Sequence, residues 1–207
     1  MTPRRSGRQK TFKHTPRKSS KKLPLAIGLL IIIIVVITVV YVFAMNNPSD
    51  STTSGGKVLL HTSMGDITIQ LRDDRPITTT NFKNLVHNGI YDGTIFHRVI
   101  YGFVIQGGDP TGTGYGDPSI PDIQDELDGV NENLRGTVAM ANTGEPNSGS
   151  SQFFINLVDN HDLDTKHSVF GTVISGMNVV DAISNVATDA NDRPLIDVRI
   201  ISAEIIS

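Results

Sequence analysis

The chain has 207 residues and no cysteine, so it has room for one ordinary folded domain plus appendages, and it excludes a disulfide framework, a catalytic thiol and a lipid-modified cysteine. Its formal net charge of −3 hides a split. Residues 1–24 hold nine Lys or Arg and no acid, whereas residues 45–207 hold nine bases against twenty-one acids.

In chain order, residues 1–24 are rich in Lys, Arg, Ser, Thr and Pro without an apolar period, the composition of a disordered arm. Leu25 to Ala44 then carries no charge, and only Thr38 and Tyr41 bear a polar group. Twenty such residues in a helix span ~30 Å, the thickness of a bilayer's hydrocarbon core. The apolar part of a cleavable signal peptide is shorter, ~7–15 residues, and Phe43-Ala44-Met45 is a poor cleavage site. The spacing therefore predicts a transmembrane helix over 25–44, with the basic arm, 1–24, held in the cytoplasm by its charge. Such an arm suits anionic lipid better than nucleic acid. Residues 45–56 form a flexible linker of Asn, Ser, Thr and Gly.

From Lys57 the pattern turns to β. Val58–His61 and Ile67–Leu71 flank the turn Ser63-Met64-Gly65-Asp66, a hairpin signal. Pro76–His87 is a helix, with Pro near its start, an apolar stripe of Phe82, Leu85 and Val86, and Gly89 to end it. Short strands follow at Thr94–Val99, Val104–Gly107, Val138–Ala141, Phe153–Leu157 and Val169–Val173. Met177–Ser184 is a second helix and Val198–Ile206 the last strand. The expected fold is mainly β: a closed eight-stranded antiparallel β-barrel capped by two helices, in a domain spanning 57–207 and preceded by the transmembrane helix.

Two stretches hold polar side chains that cannot all face solvent. One is Phe96-His97-Arg98-Val99-Ile100-Tyr101-Gly102-Phe103-Val104-Ile105-Gln106-Gly107-Gly108-Asp109; the other is Gly136-Thr137-Val138-Ala139-Met140-Ala141-Asn142 with Ser151-Gln152-Phe153-Phe154-Ile155. With Asn88-Gly89-Ile90-Tyr91-Asp92-Gly93, the glycine-rich run 107–114 and Lys166-His167-Ser168-Val169-Phe170-Gly171, the set resembles the cyclophilins, the peptidyl-prolyl cis/trans isomerases, over about residues 57–207. The glycine-rich run is similar to that of bacterial members.

The resemblance implies an isomerase that acts on X-Pro bonds in unfolded or folding polypeptides, needs no cofactor or metal, and works as a monomer. It implies a catalytic set of Arg98, Phe103, Gln106, Phe154 and His167. Arg98 donates to the prolyl nitrogen, Phe103 and Phe154 line a slot for the ring with His167 at its edge, and Gln106 positions peptide and guanidinium. Ile100, Val104, Ala141, Asn142, Thr143, Gln152 and Leu163 bind substrate. His97 is left to core or support. Three departures stand out: Asp162 where many members have Trp, Val104 where Met is common, and Tyr101 where Pro is frequent. The first implies weak binding of the family inhibitor cyclosporin; none removes a residue the reaction needs.

Other chemistry lacks support. The 107–116 run has no Gly-Lys-Ser/Thr ending, no two His stand at metal-ligand spacing, and Ser148 to Ser151 lacks a nucleophile elbow. The competing reading is a tethered chaperone that holds proline-containing segments without turning them over. The charge asymmetry orients the protein as single-pass, with its N-terminus in the cytoplasm and its folded domain outside the cell membrane, and the resemblance to bacterial members implies a bacterial envelope.

Overall fold

The computed structural model describes residues 56–206, so the transmembrane helix expected over 25–44 lies outside the described residues. Within them, eight strands appear: β1 (Lys57–Thr62), β2 (Gly65–Leu71), β3 (Arg98–Ile100), β4 (Val104–Gly107), β5 (Thr137–Met140), β6 (Phe153–Asn156), β7 (Val169–Ser175) and β8 (Ile200–Ile206). Helix α1 (Pro76–His87) follows β2, and helix α2 (Met177–Ser184) follows β7.

All neighbouring strands are antiparallel, in the order β3-β4-β6-β5-β7-β2-β1-β8. The sheet curls into a half-barrel that stays open, which corrects the expected closed barrel. Among the described residues no ladder joins β3 to β8. The apolar stretch read as a strand from Thr94 to Val99 instead splits its bonds: Ile95 makes single bridges to Asp109 and to Arg199. Its neighbours reach the last segment one at a time, Phe96 N to Val198 O at 2.9 Å and Ile200 N to Thr94 O at 2.8 Å. With only three residues left for β3, all paired to β4, its edges meet β8 through this crossing strap alone.

Alternation explains the outer strands. Val58, Leu60 and Thr62 on β1 and Ile67, Ile69 and Leu71 on β2 point inward. By contrast β5 and β6 are buried along their whole length, because both of their faces are covered. Val138, Met140, Phe153 and Ile155 belong to the main core, whereas Ala139 and Phe154 belong to a second cluster with Val104, Ala141 and Val169. The main core holds a ring cluster in which Phe153 meets Phe82 at 5.5 Å and Tyr91 at 5.6 Å, both edge-on. Each such pair contributes ~0.5–1.5 kcal/mol beyond its area.

Helix α1 closes one side of this core with Phe82, Leu85 and Val86. Its first N–H groups are satisfied from a distance. Pro76 has none to offer, and the Glu126 carboxylate accepts from Ile77 N at 3.1 Å, Thr78 N at 2.8 Å and Thr78 Oγ1 at 2.8 Å. Helix α2 begins from Gly176 at φ 90°, where any Cβ would collide with the Asp66 carbonyl oxygen.

Candidate active site

Directly paired residues on neighbouring strands share one face of a sheet. The register puts Arg98 opposite Gln106, Gln106 opposite Phe154, Phe154 opposite Ala139 and Ala139 opposite Val169. One row of side chains thus crosses β3, β4, β6, β5 and β7 on the face away from the main core. Val104, two residues before Gln106, joins it.

The row floors a cavity of about 250 Å³. Of the expected site residues, the structure brings all but Ile100 and Gln152 to its lining, and it adds Gly144. Ile100 is half-buried at the end of β3, paired to Val104. Gln152 stands in an adjoining cavity of about 590 Å³, which shares Gln106, Ala141, Asn142 and Thr143 with the first. Asp162 is exposed on the 3-10 turn His161–Leu163 and does not reach the lining, although the next residue, Leu163, does.

Three connections hold the cavity's rim. The Phe103 carbonyl accepts from Leu157 N at 2.9 Å and from Asn160 Nδ2 at 3.1 Å. Asn160 also donates to Asn156 Oδ1 at 2.8 Å, and Asn156 donates to Thr137 Oγ1 at 2.9 Å, so a buried amide network ties the Leu163 turn to the sheet. Asn142 Nδ2 donates to Lys166 O at 2.8 Å, fixing the exit of β5 against the segment that carries His167.

His167 packs edge-on against Phe154, with ring centroids 5.2 Å apart. Its Nδ1 lies 3.0 Å from the Met140 carbonyl, which can only accept, so Nδ1 carries the proton. Burial pushes the ring below the usual histidine range, and it is neutral at pH 7. His167 therefore lines the slot as an uncharged ring, with Nε2 left as an acceptor.

Arg98 is partly exposed, with Nη1 3.4 Å from Gln106 Oε1. Behind it lies Asp192, with Oδ2 3.9 Å from Nε. Asp192 was not legible in the sequence, since nothing local marks it. It sits at φ 62° in a turn, and its carbonyl accepts from Val99 N at 2.7 Å. Gln106 in turn donates through Nε2 to Gln152 Oε1 at 2.9 Å. The assembly is an always-charged, fork-shaped donor held beside an apolar slot by the Gln106 and Asp192 acceptors.

Known proteins resemble the chain over most of the described residues. Residues 57–205 match the model of the family described as "Cyclophilin type peptidyl-prolyl cis-trans isomerase/CLD". Peptidyl-prolyl cis-trans isomerase-like 1 of Gibberella zeae is 44% identical over 153 residues, 72% of this chain and 94% of that protein. The like-named protein of Rhizopus delemar is 50% identical over 151 residues, 71% of this chain and 91% of that one. A crystal structure of a Cryptosporidium parvum cyclophilin type isomerase, in the presence of the dipeptide Ala-Pro, has a TM-score of 0.70 at 34% identity, covering 73% of this chain and 99% of that one.

These relatives are eukaryotic, and that overturns the reading of a bacterial-type, single-pass envelope protein. The bacterial part of that reading rested on the glycine-rich run, and the single-pass part on the basic arm and the 25–44 run. Among the described residues no helix is long and apolar enough to cross a membrane.

Proposed function

The chain belongs to the cyclophilin family and is a peptidyl-prolyl cis-trans isomerase, and we propose that it turns over X-Pro bonds in the cavity between Arg98 and Phe154. The barrier to be lowered is ~18–20 kcal/mol, imposed by amide resonance. Resonance is lost as the bond twists, and the nitrogen lone pair becomes available only then. A donor aimed at that nitrogen binds the twisted amide better than either planar form, which is what accelerates the step.

Each residue has a part in this reading. Phe103, Val104, Phe154 and Leu163 hold the prolyl ring, and the neutral His167 closes the slot's edge. With the ring fixed, rotation moves the preceding residue past Arg98, whose guanidinium donates to the prolyl nitrogen. Gln106 accepts from Arg98 and so limits its swing. The extended chain runs over Ala141, Asn142 and Thr143 toward Gln152 in the larger cavity. Proline-containing polypeptides in non-native states are the substrates, in line with the Ala-Pro dipeptide supplied to the Cryptosporidium relative.

The observation that carries this reading is the register row that sets Arg98, Gln106 and Phe154 side by side. Its test is an Ala-Pro peptide titrated into the labelled protein while amide and methyl resonances are followed. Shifts should concentrate at Ala141, Phe154, Leu163 and His167. Shifts confined to the α1 face would reject the site.

A further inference from the structure

The loop leaving β4 is organised by a carboxylate with no solvent exposure, Asp109. Its Oδ1 accepts from Thr111 N at 2.9 Å and Thr111 Oγ1 at 2.8 Å. Its Oδ2 accepts from Gly114 N at 2.6 Å, Thr111 Oγ1 at 3.0 Å and, at longer range, Gly116 N at 3.3 Å and Thr113 Oγ1 at 3.4 Å. A buried carboxylate is tolerated only when such donors surround it. All of these come from residues 111–116, so the loop is wrapped around one side chain.

Beyond that cage runs a chain of bonds whose direction is fixed by chemistry. The Gly114 carbonyl accepts from Gln152 Nε2 at 3.0 Å. A carbonyl can only accept, so the NH2 end of Gln152 must face the loop and its Oε1 must face Gln106. Gln106 then offers its own NH2 to Gln152, at 2.9 Å, and its remaining oxygen to Arg98 Nη1, at 3.4 Å. Were the Gly114 carbonyl to move away, Gln152 could turn over. Its NH2 would then meet the NH2 of Gln106, and Gln106 would turn in response. A donor would face the guanidinium where an acceptor now stands.

We propose that Asp109 is a positioning residue for the isomerase reaction: by holding the Gly114 carbonyl over Gln152, it sets the polarity of the Gln152 and Gln106 amides so that an acceptor faces Arg98. This rests on the reading that Arg98 serves the prolyl nitrogen.

A double-mutant cycle in the full chain tests it, with kcat and KM measured on an Ala-Pro peptide beside a thermal melt of each variant. Asp109→Asn puts a donor among donors and should lower kcat about tenfold with KM within about twofold. Gln152→Met removes the amide that transmits the effect and should lower kcat similarly. The double variant should then be no more than about twofold below the weaker single. A folded Asp109→Asn protein with parental kcat, or losses that multiply in the double variant, would overturn the proposal. If Asp109→Asn does not fold, Thr111→Val decides, since it removes the one hydroxyl donor that the two carboxylate oxygens share and leaves Asp109 in place. Its loss of kcat, about threefold, should vanish in the Gln152→Met background, and persistence there counts against the relay. Arg98→Ala in the same assay separates the two levels. Full activity in that variant removes the reading of the site and the relay with it, whereas an inactive Arg98→Ala beside a fully active Asp109→Asn removes the relay alone.

Discussion

Phe153 and Phe154 are adjacent, similarly buried and chemically identical, yet the fold assigns them to opposite faces of β6. Truncating each to Ala should therefore damage different properties. Phe153 is fully buried among Phe82, Tyr91 and Phe96, with centroids 5.5, 5.6 and 6.4 Å away. Phe153→Ala leaves a cavity that this ring cluster cannot fill, and the loss should be ~3–5 kcal/mol. For a domain of this size that lowers Tm by roughly 2–4 °C per kcal/mol. Phe154 faces the slot, so part of its surface has no protein partner to lose, and Phe154→Ala should cost less, ~2 kcal/mol, at the low end of large-to-small changes. Its larger effect should be on activity. A prolyl ring that buries ~60–80 Å² less apolar surface loses ~1.5–2 kcal/mol, or about 10–30-fold in kcat/KM. Urea unfolding and peptide isomerisation of both variants would measure this. Equal stability losses, with kcat/KM unchanged in Phe154→Ala, would refute the assignment of faces.

Other consequences are equally direct. Glu126→Ala strips the start of α1 of its acceptors and leaves the buried Thr78 N–H and hydroxyl unpaired, so denaturant unfolding should show a loss of ~1–3 kcal/mol; a loss under ~0.3 kcal/mol would contradict the remote cap. Burial also holds His97 and His167 below the ordinary histidine value; the charge of Asp109 opposes this at His97 while Arg193 and Arg98 add to it, and at His167 Asp125 opposes it while Lys166 adds to it. The unfolded chain therefore takes up protons at these rings before the folded one does, and stability falls as pH drops through ~6.5. His61 and His161 act in the opposite sense, raised by hydrogen bonds to Asp66 and Asp164, but both lie at the surface, where solvent screens them. Urea midpoints should drop between pH 7 and 5, and drop less in His167→Gln. A midpoint that rises over that interval would contradict the assignment.

Much of the fold was legible because its signals are local. Val104–Gly107 is a short apolar run between glycines, and Pro76–His87 and Met177–Ser184 each carry an apolar stripe at helical spacing; all three took the expected limits. What escaped the sequence depends on partners far along the chain. Thr94–His97 reads as part of a short strand, but its bonds divide between Asp109 and the segment Val198–Ile200, and local sequence says nothing about that division. Closure of the barrel turned on it. At the site, the slot residues came from motif resemblance, and the sheet register sets two of them, Val104 and Phe154, in one row with Arg98 and Gln106. Asp192 behind Arg98 and Glu126 at the start of α1 had no such marker. A carboxylate in an acid-rich chain reads as a solvated side chain until the fold supplies its partner.

The most direct measurement is isomerisation of an Ala-Pro peptide by the parent protein and by Arg98→Ala, with peptide affinity and thermal melting followed in both. Removing one preorganised donor from a transition state lowers kcat by roughly 10²–10³. A loss of that order is expected in a variant that still melts cooperatively and still binds the peptide. Equal kcat in the two proteins would contradict it, leaving the fold in place and the guanidinium without its assigned role.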